Sequence, residues 1–234
     1  TSMGKTCFVM QLALDCLLAG KSVLYISFEM TTEDILERLF CACHSIDNYV
    51  LLKGGLKNHL DKWAVFEEFI SRQRFVVSHD FGQTWDDIDF FFQDVRAVPD
   101  VVIVDYIQAI HKVSSKGKEF IDEYIKKFRD SCIRNNFCGI LISQINRTAP
   151  DSRDKSPQLH QLKGSGFLEE LADQVLLLDW NHKSSGNLDK ALYTINVAKN
   201  RLGRTGFVKA KFLPEIYKFI PYEEQSSSDE MVRW

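Results

Sequence analysis

Apolar runs rich in β-branched residues recur along the chain at 22–28, 75–78, 101–105, 139–143 and 174–179, and segments with helical periodicity at 32–45, 59–72, 85–97 and 118–136 fill the intervals between the first four. A strand, a helix and another strand close most readily as a parallel pair with the helix across one face, because a tight hairpin cannot return a parallel strand. The run Val101-Val102-Ile103-Val104-Asp105 shows no polar alternation, which marks a strand covered on both faces. The pattern therefore predicts an α/β fold, a mainly parallel central sheet flanked by helices. Beyond 174 the rhythm changes: 191–199, 205–212 and 216–221 are strand-like with short connections, the spacing of antiparallel hairpins added at the sheet edge. One domain over 1–221, followed by an acidic tail over 222–234 expected to be mobile, fits the 234 residues best.

Hydrophobic residues make up 45% and charged residues 26%, so the chain can bury a full core. Twenty-nine basic against 32 acidic side chains give a net charge of -3, which argues against a domain that coats nucleic acid through bulk positive charge while leaving room for a local basic loop. The acids concentrate in the tail (Glu223, Glu224, Asp229, Glu230) and over 80–100. Six cysteines form no CxxC pair, so reduced, mostly buried thiols in a cytosolic-type protein are expected. No apolar run approaches the ~20 residues needed to span a bilayer. Residues 113–117 and 148–155 read as loops, and 181–188 as a hairpin tip.

Chemistry enters at Ser2-Met3-Gly4-Lys5-Thr6, which opens an apolar helix. A G-K-[ST] there is the end of a phosphate-binding loop: glycine lets backbone amides approach phosphates, lysine reaches the outer phosphate oxygens, and the hydroxyl can hold Mg²⁺. Asp105 ends the fully apolar strand, where open α/β sheets bind ligands; the alternative is a core strand that merely terminates in an acid. Glu29 follows the strand after the phosphate-loop helix and could polarise a water molecule, or could be a surface acid or cap before Thr31-Thr32-Glu33. Gln144 ends a further strand and could hydrogen-bond a terminal phosphate. After it, Arg147, Arg153, Lys155 and Lys163 outnumber Asp151 and Asp154, a basic stretch that is either a contact surface or a solvated loop of mixed charge.

The ordered set Ser-Met-Gly-Lys-Thr, Ile26-Ser27-Phe28-Glu29-Met30, Val104-Asp105-Tyr106-Ile107-Gln108, Ser143-Gln144-Ile145-Asn146-Arg147, Ser165-Gly166 with Ala172-Asp173, and Ala198-Lys199-Asn200-Arg201 with Gly203 and Thr205-Gly206 resembles the C-terminal motor domain of DnaB-like replicative helicases. The resemblance runs from residue 2 to about 220. It implies a RecA-like ATPase core that uses ATP and Mg²⁺ and works as a homo-hexameric ring around single-stranded DNA. Ser2, Met3, Gly4, Lys5, Thr6 and Cys7 would form the phosphate loop, with Thr6 and Asp105 serving the metal, Glu29 the catalytic base and Gln144 the γ-phosphate sensor. Arg201 would be an arginine finger and Lys199 its partner, both acting on the neighbouring subunit's ATP; alone, each would read as an exposed strand charge.

DNA contacts would come from Lys163, Gly164, Ser165 and Gly166, with Arg147 and the stretch up to Lys155 as a second surface. Members commonly carry Arg-Glu-Ser-Gly where this chain has Lys163-Gly164-Ser165-Gly166, so the glutamate is absent. The phosphate loop opens at Thr1, so the expectation is a domain cut inside its first motif, without the linker and primase-binding domain of the family, and monomeric by itself. A primase and a helicase loader are the expected partners, and the cytoplasm of a bacterial cell or phage-infected host the expected location. A recombinase-like or clock-protein-like RecA ATPase that assembles without unwinding, or an inactive nucleotide-binding assembly module, are the alternatives.

Overall fold

The computed structural model describes residues 3–79, 86, 92, 98–108, 117–145, 157–162 and 166–223. Strands β1 (Val23–Ser27), β2 (Phe75–Ser78), β3 (Val101–Asp105) and β4 (Cys138–Leu141) form a parallel sheet in the order β2-β1-β3-β4. Every residue of β1 and β3 is buried, as their apolar runs require, and the polar residues that end them, Ser27 and Asp105, are buried as well. The chain leaves β1 towards β2 on one side and returns to β3 on the other. That reversal opens a crevice beyond the carboxyl ends of β1 and β3.

Helices cover both faces. On one lie α1 (Lys5–Leu18), α2 (Thr32–His44) and α4 (Leu60–Ser71), which bury Val9, Met10, Leu14, Ile35, Leu39, Phe40 and Phe66 against Tyr25 and Ile103. The short helix α3 (Asn48–Leu52) connects α2 to α4. On the other face α5 (Gly117–Asn135) sets Ile121, Tyr124, Ile125 and Phe128 against Leu24, Ile26, Val102 and Val104. Helix α2 starts at a reciprocal cap: the Asp34 amide donates to Thr31 Oγ1 at 3.2 Å and the Thr31 amide donates to Asp34 Oδ2 at 3.2 Å.

The later strands β5 (Gln174–Trp180), β6 (Leu192–Asn200), β7 (Gly206–Leu213) and β8 (Lys218–Pro221) are antiparallel, as expected. They form a sheet of their own, in the order β5-β6-β7-β8, instead of extending the edge of the parallel one. The reason is an aromatic inner face: Trp180, Tyr193, Phe212 and Phe219 pack with Cys7 and Phe8 from the first turn of α1, so this sheet needs a helix as cover more than a neighbouring strand. Short helices α6 (Gly166–Leu171) and α7 (Asn181–Ser185) precede and follow β5, and the expected hairpin tip at 181–188 therefore contains a helical turn.

The run expected over 139–143 pairs as Cys138–Leu141, after which the Ile142 amide still donates to Val104 O at 3.0 Å before the chain turns away. The expected helix over 85–97 lies outside the described residues except for Asp86 and Phe92, both helical, the first paired with Lys127 at 2.8 Å and the second beside the Phe137 ring. The loops at 113–116 and 148–155 and the tail beyond 223 also lie outside them. All six cysteines are free, with Cys7 and Cys41 buried and Cys138 exposed; burial is less complete than composition suggested because Cys138 begins the edge strand β4. Among the described residues no helix is long and apolar enough to cross a membrane.

Candidate functional site

Gly4 is the N-cap of α1 with φ 78° and ψ 14°, a left-handed conformation that glycine adopts without strain. A Cβ at this position would stand 3.1 Å from the Phe212 ring, so the loop also needs glycine for close approach. The first amides of any α-helix lack acceptors within it, and here those of Lys5, Thr6 and Cys7 begin the helix at the end of the parallel sheet. That is a cradle for an anion. Cys7 is buried and burial pushes its thiol up to about 11, so it stays a neutral packing group and can serve a ligand only through its backbone.

Asp105 arrives opposite. Ser27 and Asp105 are partners in the β1–β3 register, and the Phe28 amide donates to Asp105 O at 2.9 Å. The aspartate is 6% exposed. Burial pushes its pKa up, while the Tyr25 hydroxyl, which donates to it at 2.8 Å, the nearby Thr6 hydroxyl and the charge of Lys5 pull it down. Burial likewise lowers the pKa of Lys5, against the attraction of Asp105 and Glu29. Lys5, Thr6, Asp105 and Glu29 therefore share one electrostatic neighbourhood, assembled from the start of α1 and the ends of β1 and β3.

Glu29 stands exposed in the turn after β1, which is fixed by the Met30 amide donating to Ser27 Oγ at 2.9 Å. The cap of α2 belongs to Thr31 and Asp34, so Glu29 is left out of it. Gln144 reaches the same end of the sheet beyond β4. Its backbone amide donates to Gln108 Oε1 at 3.0 Å, and Gln108 Nε2 donates to Ser143 Oγ at 2.6 Å. Burial and the nearby Glu29 carboxylate push the Tyr106 phenol above its ordinary value, and the Gln144 side chain pulls it back, so these three side chains stand in one electrostatic neighbourhood.

Sequence reasoning gave no role to Tyr25, Tyr106 or Gln108. Tyr106 and Gln108 had a signal, their place just past an acid-terminated buried strand; Tyr25 had none, since an aromatic residue inside a buried strand reads as core.

Lys199 and Arg201 lie elsewhere in the fold. Lys199 Nζ donates to the carbonyls of Glu169 and Glu170 at the end of α6, and Arg201 donates to Glu170 O at 2.9 Å and to Asp173 Oδ1 at 3.2 Å. Arg129 grips the same carboxylate, and its bonds hold Asp173 below the usual carboxylate range, with Arg201 adding to the effect. The pair thus has partners, distant in sequence, within its own chain. Ser2, Arg147, Lys163, Gly164 and Ser165 fall outside the described residues; Gly166 opens α6. Ile145, next to Gln144, forms an antiparallel bridge with Leu162. Among the described residues no cluster of three or more His, Cys, Asp or Glu could hold a metal.

A glycine-lysine-threonine helix start at the strand-order reversal, faced by a buried aspartate from the neighbouring strand, defines a P-loop nucleotide-binding domain of the RecA type. The fold agrees: a solved ATPase domain superposes with a TM-score of 0.85 at 24% identity, covering 95% of this chain and 82% of that one. A DnaB-like replicative helicase, solved in a study of its interactions with primase, superposes equally well, with 0.85 and 24%, over 95% of this chain and 57% of that one.

The chain belongs to the DnaB-like helicase C terminal domain family, whose model matches residues 1–221. It is 28% identical over 211 residues to a probable plasmid replicative DNA helicase of Chlamydia psittaci, covering 86% of this chain and 45% of the relative. It is 26% identical over 235 residues to the replicative DNA helicase DnaB of Haemophilus influenzae, covering 96% and 50%. The chain spans about half the length of these curated relatives.

Proposed function

We propose that this chain is the motor domain of a replicative DNA helicase, hydrolysing ATP with Mg²⁺ to move along single-stranded DNA and separate duplex strands. The observation that carries the reading is the convergence of Lys5, Thr6, Glu29, Asp105 and Gln144 on one end of the parallel sheet. The family to which the chain belongs supports it. Residues 1–221 form the motor and 222–234 an acidic tail.

Lys5 and the first amides of α1 hold the phosphates. The oxygen groups of Thr6 and Asp105, which are neighbours here, would suit a hard cation such as Mg²⁺. Bound Mg²⁺ would supply charge neutralisation at the phosphate oxygens. Glu29 takes the proton of the water whose oxygen bonds to the γ-phosphorus as the bond to the ADP oxygen breaks. Gln144 hydrogen-bonds the γ-phosphate. Because the Ile145–Leu162 bridge links Gln144 to Lys163, loss of that phosphate is passed to Lys163, Gly164, Ser165 and Gly166, which with Arg147 grip the DNA backbone.

The working form is a homo-hexamer in which Arg201 and Lys199 exchange their partners on α6 and Asp173 for the γ-phosphate of the adjacent subunit. The domain alone is a monomer; primase and a loader engage the complete protein in the cytoplasm of a bacterial or phage-infected cell.

The test is DNA-stimulated ATP hydrolysis together with strand displacement on a forked duplex, using the protein with all its native flanking sequence. Lys5→Ala and Glu29→Gln are each expected to abolish both. Full turnover by Glu29→Gln removes Glu29 from its role, and pairing of homologous strands without displacement makes the protein a recombinase-like ATPase instead.

A further inference from the structure

The peptide that joins Met3 to Gly4 is held from the second sheet. Tyr193, 190 residues further along the chain, donates its hydroxyl hydrogen to the Met3 carbonyl. The tyrosine is wholly buried, and its ring is set by two others: its centroid lies 4.9 Å from that of Phe219 and 5.7 Å from that of Phe212, both at steep angles. Its backbone belongs to β6, an interior strand, where it pairs with Trp180 on one side and Ala210 on the other. The donor is therefore as fixed as the sheet that carries it.

What it holds is a peptide that could otherwise turn over cheaply. Turning it over needs rotation about ψ of Met3 and φ of Gly4, and glycine moves between left-handed and right-handed φ at little cost. In a planar trans peptide the C=O and N–H point in opposite directions. A Met3 carbonyl held towards the aromatic face of the second sheet thus sends the Gly4 N–H away from that face. In the turned-over peptide an oxygen with partial negative charge would replace this N–H and repel a phosphate. The next carbonyl is already committed, since Gly4 O accepts from the Phe8 amide at 2.9 Å in the first turn of α1. The Phe212 and Phe219 rings then close against the glycine itself.

We propose that Tyr193 is a positioning residue of the phosphate site: its hydroxyl holds the Met3 carbonyl so that the Gly4 amide is presented to a phosphate group of the nucleotide. Tyr193 does not touch the ligand and acts through the intervening peptide alone. The inference rests on the reading of Gly4-Lys5-Thr6 as a phosphate-binding loop, and the variants below separate its failure from failure of that reading.

The test is titration of the protein, with all its native flanking sequence, with a fluorescent ATP analogue and with ADP, at a temperature where every variant is fully folded. Tyr193→Phe removes one oxygen atom and keeps the packed ring. It should raise the dissociation constants of both nucleotides about 5- to 20-fold, the scale of one lost hydrogen bond, and raise KM for ATP with kcat changed less than about threefold, because a loop that cradles phosphates serves ground state and transition state alike. Thr194→Val is the control for a merely structural role. Thr194 follows Tyr193 in β6 with its side chain on the opposite face, where its hydroxyl donates to Asn181 Oδ1 at 2.9 Å. This variant also loses one hydroxyl hydrogen bond at nearly constant shape, and its nucleotide affinity should stay within about twofold of wild type. Wild-type affinity in Tyr193→Phe, while Lys5→Ala fails to bind, overturns the inference and leaves the phosphate-loop reading intact. An equal loss of affinity in Thr194→Val and Tyr193→Phe also overturns it, assigning the effect to general loosening of the sheet. Binding of the analogue by Lys5→Ala as tightly as by wild type overturns both.

Discussion

Tyr25 donates its phenolic hydrogen to Asp105 Oδ2 at 2.8 Å across adjacent strands of the parallel sheet, and both side chains are almost wholly shielded from solvent. A buried carboxylate without donors would be driven to its neutral form; the phenol and the Thr6 hydroxyl are what offset that drive at Asp105. The phenol's own pKa is raised well above its ordinary value, first by burial and then by Asp105, so it is a donor at neutral pH.

Tyr25→Phe is therefore expected to cost about 1–3 kcal/mol of folding stability, since it leaves a buried acceptor one donor short while keeping the ring. Urea denaturation measures it. A variant as stable as wild type would mean that the Tyr25 hydroxyl is not what holds the carboxylate.

The phosphate loop makes a second prediction. Gly4→Ala would force a side chain into a left-handed backbone and bring its Cβ to 3.1 Å from Phe212 and 3.4 Å from Phe219, two rings stacked on each other with centroids 4.4 Å apart. Strain of about 1–2 kcal/mol follows from the backbone alone, with more from displaced rings. The expected outcome is a lower melting temperature together with weaker binding of a fluorescent ATP analogue. Gly20→Ala is the control: Gly20 has φ 75° but open space, so it should destabilise without changing nucleotide affinity.

How much of this was legible beforehand depends on whether the signal was local. The run ending in Asp105 declared a buried parallel strand because no polar residue interrupts it, and Gly4-Lys5-Thr6 declared a helix start because each residue type has its own job there. The antiparallel strands were visible one by one, but whether they join the first sheet depends on what covers Trp180, Tyr193, Phe212 and Phe219, and the cover is Cys7 and Phe8 from the far end of the chain. Tyr25 and Gln108 matter through partners on other strands. The engagement of Lys199 and Arg201 by the end of α6 and by Asp173 is likewise a matter of tertiary placement.

A pH effect on stability is expected at the opposite end of the sheet. Asp100 accepts from the Ser22 backbone amide at 2.8 Å and from its hydroxyl at 2.7 Å, which lower its pKa to about 2 with help from Lys21 and Arg74. A carboxylate depressed by folding stabilises the native state above its unfolded value and loses that contribution as pH falls through the folded one. Asp100→Ala should thus be less stable than wild type by a constant margin at neutral pH, and the margin should shrink between about pH 4 and pH 2. A gap that stays constant down to pH 2 in parallel denaturation series would assign the effect to geometry alone.

The last prediction concerns how the phosphate loop is held to the second sheet. β8 ends the order β5-β6-β7-β8, and an edge strand has one row of peptide groups without a strand neighbour. Gln11 of α1 takes that neighbour's place at Phe219: its Nε2 donates to Phe219 O at 2.9 Å, and the Phe219 amide donates to its Oε1 at 2.7 Å. Replacing this amide by a hydrocarbon of similar size leaves both peptide groups half-buried and unpaired, so Gln11→Leu should cost about 1–3 kcal/mol despite adding apolar surface. Gln11→Glu keeps the acceptor and loses the donor, and should fall between. Because the Phe219 ring also stands against Gly4, loosening β8 should loosen the loop: hydrogen exchange at the Phe219 amide should accelerate, and the dissociation constant for an ATP analogue should rise severalfold in Gln11→Leu. Faster exchange with unchanged nucleotide affinity would show that the loop is held by the Phe212 contact and α1 alone.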